Sequence, residues 1–498
     1  METRYIAAIE IASSKIKGAV GSVDSEGRLT VLAVEETPSY DNVRYGRVQN
    51  IREVTAAVND IIQRLEAAPA VAPRSVCALG VSIGGRSIAG APAKASMKFN
   101  EDCEISDQHV QRLMFDARQD LMTDQVVEVI PRAFYVNSAF VRQPVGTFGD
   151  SLRGEFLMVT CARETRQNLE RIKFDSVPAS AIAYILNIKA IGDFVLTPDE
   201  KVLGTAFVDV GAETTSVAVY KDGSLAFVCV IPMGSRLLTL DLIAGLGTTE
   251  EAAEKLKREI AAGGEKENET ARNFMHSRAG EIIANVLNQI DIAGYPSPAI
   301  SKVVLTGGGA KAPDFAEQIA AQFKMPVRKA EMPSDIAFRV AGRNNPDNID
   351  IVALLAAAAR AFNGSCLSEP VEEHRQEPKE EQPEDRTVLA APEEEPVRRS
   401  VADEEDDDKW LRDDPDEEEE QEEDRKTTRR GFSFPWSRKR KEEPLEEDEF
   451  TVEEPEEENG KENEDEVEER PATHKLNSFR ERFAKLFTPV EGLEDDDE

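Results

Sequence analysis

Three short clusters in this sequence carry groups suited to holding a phosphate chain and a divalent cation. Glu10 precedes Ala12-Ser13-Ser14-Lys15, Asp209 precedes Gly211-Ala212-Glu213-Thr214, and Gly307-Gly308-Gly309 follows the apolar run Val303-Val304-Leu305. Phosphates need backbone N–H donors from tight loops, together with a cation held by carboxylates and water. On this basis Ser13, Ser14 and Lys15 would meet phosphates from one side and Gly211 to Thr214 from the other. Glu10 and Asp209 would face Mg2+ through water. The three glycines would let a base or ribose lie against bare backbone. Singly, each cluster has a plainer reading: an acid before small residues is most often an ordinary β-turn, and a triglycine most often a flexible loop. Their order, two related hairpins and then a strand–triglycine–helix unit, is what points to a shared ligand.

The elements that must position these residues are legible as an internal repeat. Tyr5 to Val20 reads as strand, tight turn and strand, followed by a turn at Glu26-Gly27 and an apolar strand from Leu29 to Val34. The same grammar returns from Thr205 to Tyr220, with an Asp222-Gly223 turn, a strong hairpin signal, and a strand from Leu225 to Ile231. Two such units predict two halves of similar fold facing one another. Helical spacing marks Ile51 to Leu65, Arg166 to Ile172, Thr248 to Ala262, Pro313 to Phe323 and Ile349 to Phe362. The stretch from Arg74 to Ala162 lacks the repeat's grammar and reads as an inserted α+β subdomain. Asp175 and Ser176 stand where a connecting helix would bring a water-orienting group, and no base is nominated.

The formal charge of −36 over 498 residues is unevenly spread. From Ser365 onward there are 51 acidic and 21 basic residues, a net of −30 that leaves −6 for the first 364. The front is therefore an ordinary globular composition. The stretch from Cys366 to His474 is too rich in Glu, Asp and Pro to bury a core, which predicts disorder; about 110 such residues would span roughly 55–60 Å as a random coil. Five scattered cysteines without a CxxC pair argue against a zinc site or disulfide framework and fit a reducing cytoplasm. No basic, apolar leader opens the sequence. No run approaches the ~20 apolar residues of a membrane span, so a membrane would have to be met by lying on it.

The motifs Ile9-Glu10-Ile11-Ala12-Ser13-Ser14-Lys15, Val208-Asp209-Val210-Gly211-Ala212-Glu213-Thr214-Thr215 and Val304-Leu305-Thr306-Gly307-Gly308-Gly309 resemble the phosphate and adenosine motifs of the actin, Hsp70 and sugar kinase superfamily. Within it the chain is most similar to the bacterial cell-division family FtsA. Val129-Ile130-Pro131, Pro144-Val145-Gly146, Val159-Thr160-Cys161, Val230-Ile231-Pro232 with Gly234, and Glu254-Lys255-Leu256-Lys257 extend the likeness over about 1–362. The resemblance implies an α/β, actin-like (ribonuclease H-like, duplicated) ATPase fold with an inserted α+β subdomain, a long disordered tail and a C-terminal amphipathic helix. The expected boundaries are 1–75 and 163–200 for the first lobe and 76–162 for the insertion. The second lobe would take 201–364, its outer subdomain roughly 234–300, followed by an acidic linker at 365–474 and the helix at 475–488. It further implies ATP and Mg2+ as cofactors. Ser14, Lys15, Gly211, Thr214 and Thr215 would lie at the phosphates, Glu254 and Lys257 at ribose or adenine, and Gly307 to Gly309 along the adenosine. For Glu254 and Lys257 an ordinary solvated helix face explains the same residues. The outer subdomain, with Lys255, Lys257, Arg258, Arg272 and Arg278, would accept the C-terminal peptide of the tubulin-like partner FtsZ; a solvated helix face accounts for these charges equally.

The turns depart from the family pattern. Ala12, Ala212 and Glu213 replace glycines, and a Cβ where φ must be positive costs on the order of 1 kcal/mol, while a carboxylate repels phosphate. ATP binding with weak or slow hydrolysis at most is the expectation.

Lys475 to Phe487 breaks the acidic tail. Leu476, Phe479, Phe483, Leu486 and Phe487 fall within an arc of roughly 100°, with Lys475, Arg480, Arg482 and Lys485 on the flanks and the opposite face. Such a helix suits an anionic membrane surface; docking on the chain's own body or a partner is the competing reading. One short helix binds weakly, so attachment calls for many copies joined in a polymer. A second island, Arg429 to Lys441, mixes aromatics with bases and is open between membrane contact, partner peptide and solvated linker. Together these readings describe a peripheral membrane protein that polymerises and tethers the FtsZ ring to the cytoplasmic face of the membrane at the division site. Its partners would be FtsZ, its own copies and other division proteins, with no nucleic acid. A pilus-type actin homologue, a sugar or acetate kinase and an Hsp70-like chaperone are the alternatives.

Overall fold

The computed structural model describes residues 3–120, 125–264, 268–296, 298–339 and 348–369. The linker expected from residue 365 begins later: Cys366 is buried and Leu367–Ser368 pairs antiparallel with Ser75–Val76. Residues 370–474 with the Arg429–Lys441 island, and the expected helix with Leu476, Phe479, Arg480, Arg482, Phe483, Lys485, Leu486 and Phe487, lie outside the described residues.

The first repeat builds a six-stranded sheet in the order Ile182–Leu186, Leu79–Ile83, Arg4–Ile11, Lys15–Val23, Leu29–Pro38, Ala337–Phe338. Arg4–Ile11 and Lys15–Val23 are antiparallel, and their register sets Glu10 opposite Lys17. Leu79–Ile83 runs parallel to Arg4–Ile11. That strand was expected inside the insertion, which therefore starts later than residue 76; a buried apolar run carries no sign of which sheet it joins.

Helix Ile51–Glu66 covers one face of this sheet because Val54, Val58, Ile61, Ile62 and Leu65 recur at helical spacing and are all buried. Asn50 caps it by accepting from Glu53 N–H at 3.2 Å. The helix comes so close that a Cβ on Gly18 would stand 2.5 Å from Ile61 Cγ2. The other face receives helix Ile349–Ala361, apolar on nearly every side and buried at Ile351 to Leu355.

The second repeat forms the heart of a nine-stranded sheet. Thr205–Val210 pairs antiparallel with Thr215–Lys221 and parallel with Lys302–Thr306. The Asp222-Gly223 turn has positive φ at both residues, 57° and 87°. Helices Arg236–Leu246, Glu250–Ala261 and Glu269–Ile292 form the outer part of this lobe around Leu238, Leu242, Ala253, Ile260 and Met275.

The insertion is α+β as expected: strands Ala89–Glu104, Val126–Val136, Ala139–Val141 and Phe148–Thr160 with helix Asp107–Asp120. It has its own core, including Ile105, Leu113, Phe134 and Phe156. Its sheet continues that of the second repeat through one paired position, Ala89 opposite Cys229. No helix among the described residues is long and apolar enough to cross a membrane.

Candidate functional site

The two repeat turns close in the same way. Ala12 N–H donates to Lys15 O at 3.1 Å, and Gly211 N–H to Thr214 O at 2.8 Å. Glu10 and Asp209 therefore hold equivalent places, each two residues before its turn. Ala12, Ala212 and Glu213 all avoid positive φ, so the strain expected from replacing glycine is absent.

Acidic groups from three elements converge. Glu10 is buried at 4% exposure and accepts from Asn187 Nδ2 at 2.9 Å. Lys17 pairs with Asp350 at the start of helix Ile349–Ala361. Burial, then the Asp350 charge, pushes Glu10 well above the usual carboxylate range, with Lys17 opposing. Asp209 is pushed up to about 7 by burial and Asp350, again against Lys17. Burial works against a charged Lys17, but Asp350 and Glu10 outweigh it and raise its pKa. Three carboxyl groups thus share one ammonium, and a bound cation would stabilise their ionised forms.

Mg2+ fits this set. Asn187 Oδ1 is a buried acceptor without a hydrogen-bond partner, Glu10 lies against the Asp350 carboxyl, and water on a hydrated cation would donate to both. Among the described residues no group of three acidic, His or Cys side chains is placed to hold a metal directly. Glu10 and Asp209 would therefore act through the water shell that Mg2+ retains. When bound, the cation would neutralise phosphate charge there.

Beyond the carboxylates, the second turn, the triglycine and the outer helices meet at Ser235. Ser235 N–H donates to Gly211 O at 2.9 Å, and Arg236 N–H to Ala212 O at 2.7 Å. Gly309 packs on Val210 and Ser235, and Gly307, with φ of 89°, packs on Val210 and Asp209. Gly308 alone faces open space. Lys257 Nζ donates to Ser235 O at 3.4 Å and Thr239 Oγ1 at 3.0 Å, and lies 2.6 Å from Glu254. Burial raises the Glu254 pKa, but its bonds to Lys257 and Thr239 leave it net lowered. Glu254 and Lys257 form a preorganised polar pair, not a freely solvated face.

Other predicted residues are placed differently. Ser14 is exposed and Ser13 half-buried at the first turn. Lys15 extends to Glu36 at 2.7 Å. Thr214 stays at the second turn, but Thr215 is fully buried and donates to Met233 O at 2.8 Å. Thr215 opens strand Thr215–Lys221, and its hydroxyl is taken by this bond. Glu213 is buried too, against Arg44 and Tyr45 N–H, and does not project as a free charge. Asp175 donates its N–H to Asn59 on helix Ile51–Glu66. The amide beside Glu10 is instead Asn187, which opens helix Asn187–Val195 after a buried strand end. A polar residue at that strand-to-helix step was the only available signal.

The basic surface expected at 234–300 is largely paired. Arg258 lies 3.0 Å from Glu254, and Arg278 holds Asp241 through two contacts of 2.7 and 2.9 Å. Lys255 is near Glu259, and Arg272 donates to Gly264 O.

A family model described as "Cell division protein FtsA" matches residues 206–347, and one described as "SHS2 domain inserted in FTSA" matches 85–160. The cell division protein FtsA of Neisseria meningitidis is 27% identical over 355 residues, covering 66% of this chain and 84% of the relative. That of Borreliella burgdorferi is 27% identical over 356 residues with the same coverage. That of Porphyromonas gingivalis is 28% identical over 333 residues, covering 62% and 69%. Among solved structures, a PilM-PilN type IV pilus biogenesis complex aligns with a TM-score of 0.51 at 14% identity, over 71% of this chain and 98% of that chain.

Proposed function

The chain belongs to the FtsA family of cell-division proteins and has the actin-like fold with an inserted subdomain, and from that premise we propose that it binds Mg-ATP between its two repeats, polymerises, and tethers the FtsZ ring to the inner face of the cytoplasmic membrane. One observation carries the nucleotide half: both repeat turns flank a cluster of Glu10 and Lys17, buried, with Asp209 and Asp350, half-buried, beside which Asn187 Oδ1 is left without a hydrogen-bond partner. Ser13, Ser14, Lys15, Gly211 and Thr214 are the residues for the phosphates, and Glu254, Lys257 and Gly307 to Gly309 for the nucleoside. Slow turnover at most is part of the reading, because the neutral amide of Asn187 orients water without taking its proton.

The membrane half rests on the sequence of the Lys475–Phe487 segment, whose apolar arc and flanking bases suit an anionic bilayer. A polymer multiplies this weak contact, so filament formation and membrane residence are coupled. FtsZ's C-terminal peptide, other copies of this chain and further division proteins are the partners proposed. Nothing in the site favours the pilus or kinase alternatives.

Co-sedimentation with anionic liposomes tests the membrane half. With ATP the full chain should pellet, and Phe479→Glu/Phe483→Glu should stay in the supernatant. Equal pelleting of both removes the tether. For the nucleotide half, failure of Mg-ATP to bind the full chain in titration calorimetry at millimolar nucleotide would remove the site.

A further inference from the structure

Segment Ser39–Gly46 connects the first repeat's last strand to helix Ile51–Glu66, and it touches both turns. Ser39 N–H donates to Ser14 O at 3.2 Å, and Gly46 N–H to Ser13 Oγ at 2.9 Å. On the other side Tyr45 N–H donates to Glu213 Oε2 at 2.5 Å, and Arg44 Nε lies 2.7 Å from Glu213 Oε1. The strap is held in an unusual shape to do this. Tyr45 has φ of 51° and Gly46 of 73°. Gly85 packs so closely behind that a Cβ on Gly46 would stand 2.4 Å from Gly85 Cα. A bulky residue with positive φ is a costly conformation, sustained only by its surroundings.

The chemistry of Glu213 is the informative part. It sits inside a turn proposed to receive phosphate, is 5% exposed, and presents one oxygen to a backbone N–H and the other to a guanidinium. The N–H bonds one oxygen while the guanidinium pairs with the other by charge, and both groups, supplied by the opposite lobe, are of the kind a terminal phosphate would use. We propose that Glu213 occupies the subsite of a third phosphate, so that the site accepts a nucleoside diphosphate with the strap latched and admits a triphosphate only by breaking the Arg44–Glu213 pair. This rests on reading the two turns as a nucleotide site. The physical basis is like-charge exclusion: a carboxylate and a phosphate cannot share one pair of donors where water is scarce. Glu213 therefore discriminates between nucleotides, and Ser39–Gly46 senses which one is bound. Asp41 on the same strap accepts from Arg44 Nη1 at 2.9 Å and lies 3.7 Å from Arg236 Nη1, so it belongs to the latch.

Competition of ATP and ADP against a fluorescent ADP, with Mg2+ and the full chain, reads the discrimination. Glu213→Gln keeps an acceptor for Tyr45 N–H and removes the charge. It is expected to raise ATP affinity relative to ADP by about tenfold or more. Arg44→Gln leaves the carboxylate uncompensated and should move the ratio the opposite way, which preserves the test if Glu213→Gln does not fold. Asp60→Asn, which removes only the ion pair to Arg64 on helix Ile51–Glu66, should leave the ratio within about twofold. A ratio unchanged in Glu213→Gln, or moved in the same direction by both variants, overturns the proposal while nucleotide binding stands. Absence of binding by every protein, the parent included, overturns the nucleotide site and this inference together.

Discussion

Lys17 and Asp350 lie 333 positions apart in the chain and meet as an ion pair against the Glu10 carboxylate. The pair ties the helix Ile349–Ala361 to the hairpin that carries the first turn, and it sets the charge of the site from behind.

Breaking this pair on one side should cost more than removing it whole, because the surviving charge is left poorly hydrated. Lys17→Met is expected to destabilise the protein by about 2–4 kcal/mol, and Lys17→Met/Asp350→Leu by much less. Thermal unfolding of the two variants beside the parent measures the difference. Equal losses would show that the pair is not coupled.

Removal of Mg2+ should weaken ATP binding in the parent, and loss of an outer-shell partner such as Glu10 should cost about 10- to 100-fold in Mg2+ affinity. Glu10→Gln, lacking the charge that orients the hydrated cation, should bind ATP weakly with or without Mg2+. Calorimetry in Mg2+ and in EDTA gives both numbers, and a variant that keeps the full Mg2+ effect excludes Glu10 from the cation site.

The triglycine separates packing from binding. At Gly307 a Cβ would stand 2.4 Å from Val210 O and 2.5 Å from Asp209 Oδ1, whereas Gly308 has nothing within 4 Å. Gly307→Ala should destabilise the fold by about 2–3 kcal/mol. Gly308→Ala should leave stability within about 0.5 kcal/mol while lowering nucleotide affinity. Unfolding curves and titrations of the two variants test the contrast.

Glu200 is an acid-sensitive joint. Hydrogen bonds from Arg328 outweigh its burial and, with Thr197 N–H and Lys302, lower its pKa from 4.5 to about 2. The folded value lies below the unfolded one, so the stabilisation is complete above about pH 4.5 and disappears as pH falls towards 2. Solvent screening limits it to about 1–2 kcal/mol. Glu200→Gln should fall below the parent by this amount at pH 7 and converge with it near pH 2 in denaturant titrations. Parallel curves across that range would contradict the assignment.

The local elements of this fold were open to reading because each is encoded by neighbours. Asp222-Gly223 specifies its turn, Thr249 caps helix Glu250–Ala261, and Ile51 to Leu65 shows its buried stripe directly. Much of the site was not, because its chemistry is assembled across the chain. Lys17 looked like any strand lysine until the register set it opposite Glu10. Asp350 and Asn187 carry no motif. The bond from the Thr215 hydroxyl to Met233 O joins residues 18 apart and has no local signal. Glu213 looked like an exposed obstacle because its partners, Arg44 and Tyr45, come from the other repeat.

The junction at Ala89 and Cys229 has a mechanical consequence. The insertion leaves and re-enters the chain on the first lobe's side, yet its sheet is stitched to the second lobe's sheet at that position, where Gly90 has room only for hydrogen beside Val228. Any hinging of the lobes must therefore either shear that stitch or swing the insertion as a lever arm. In the second case Phe140 and Phe148, both exposed on the insertion, would move with it.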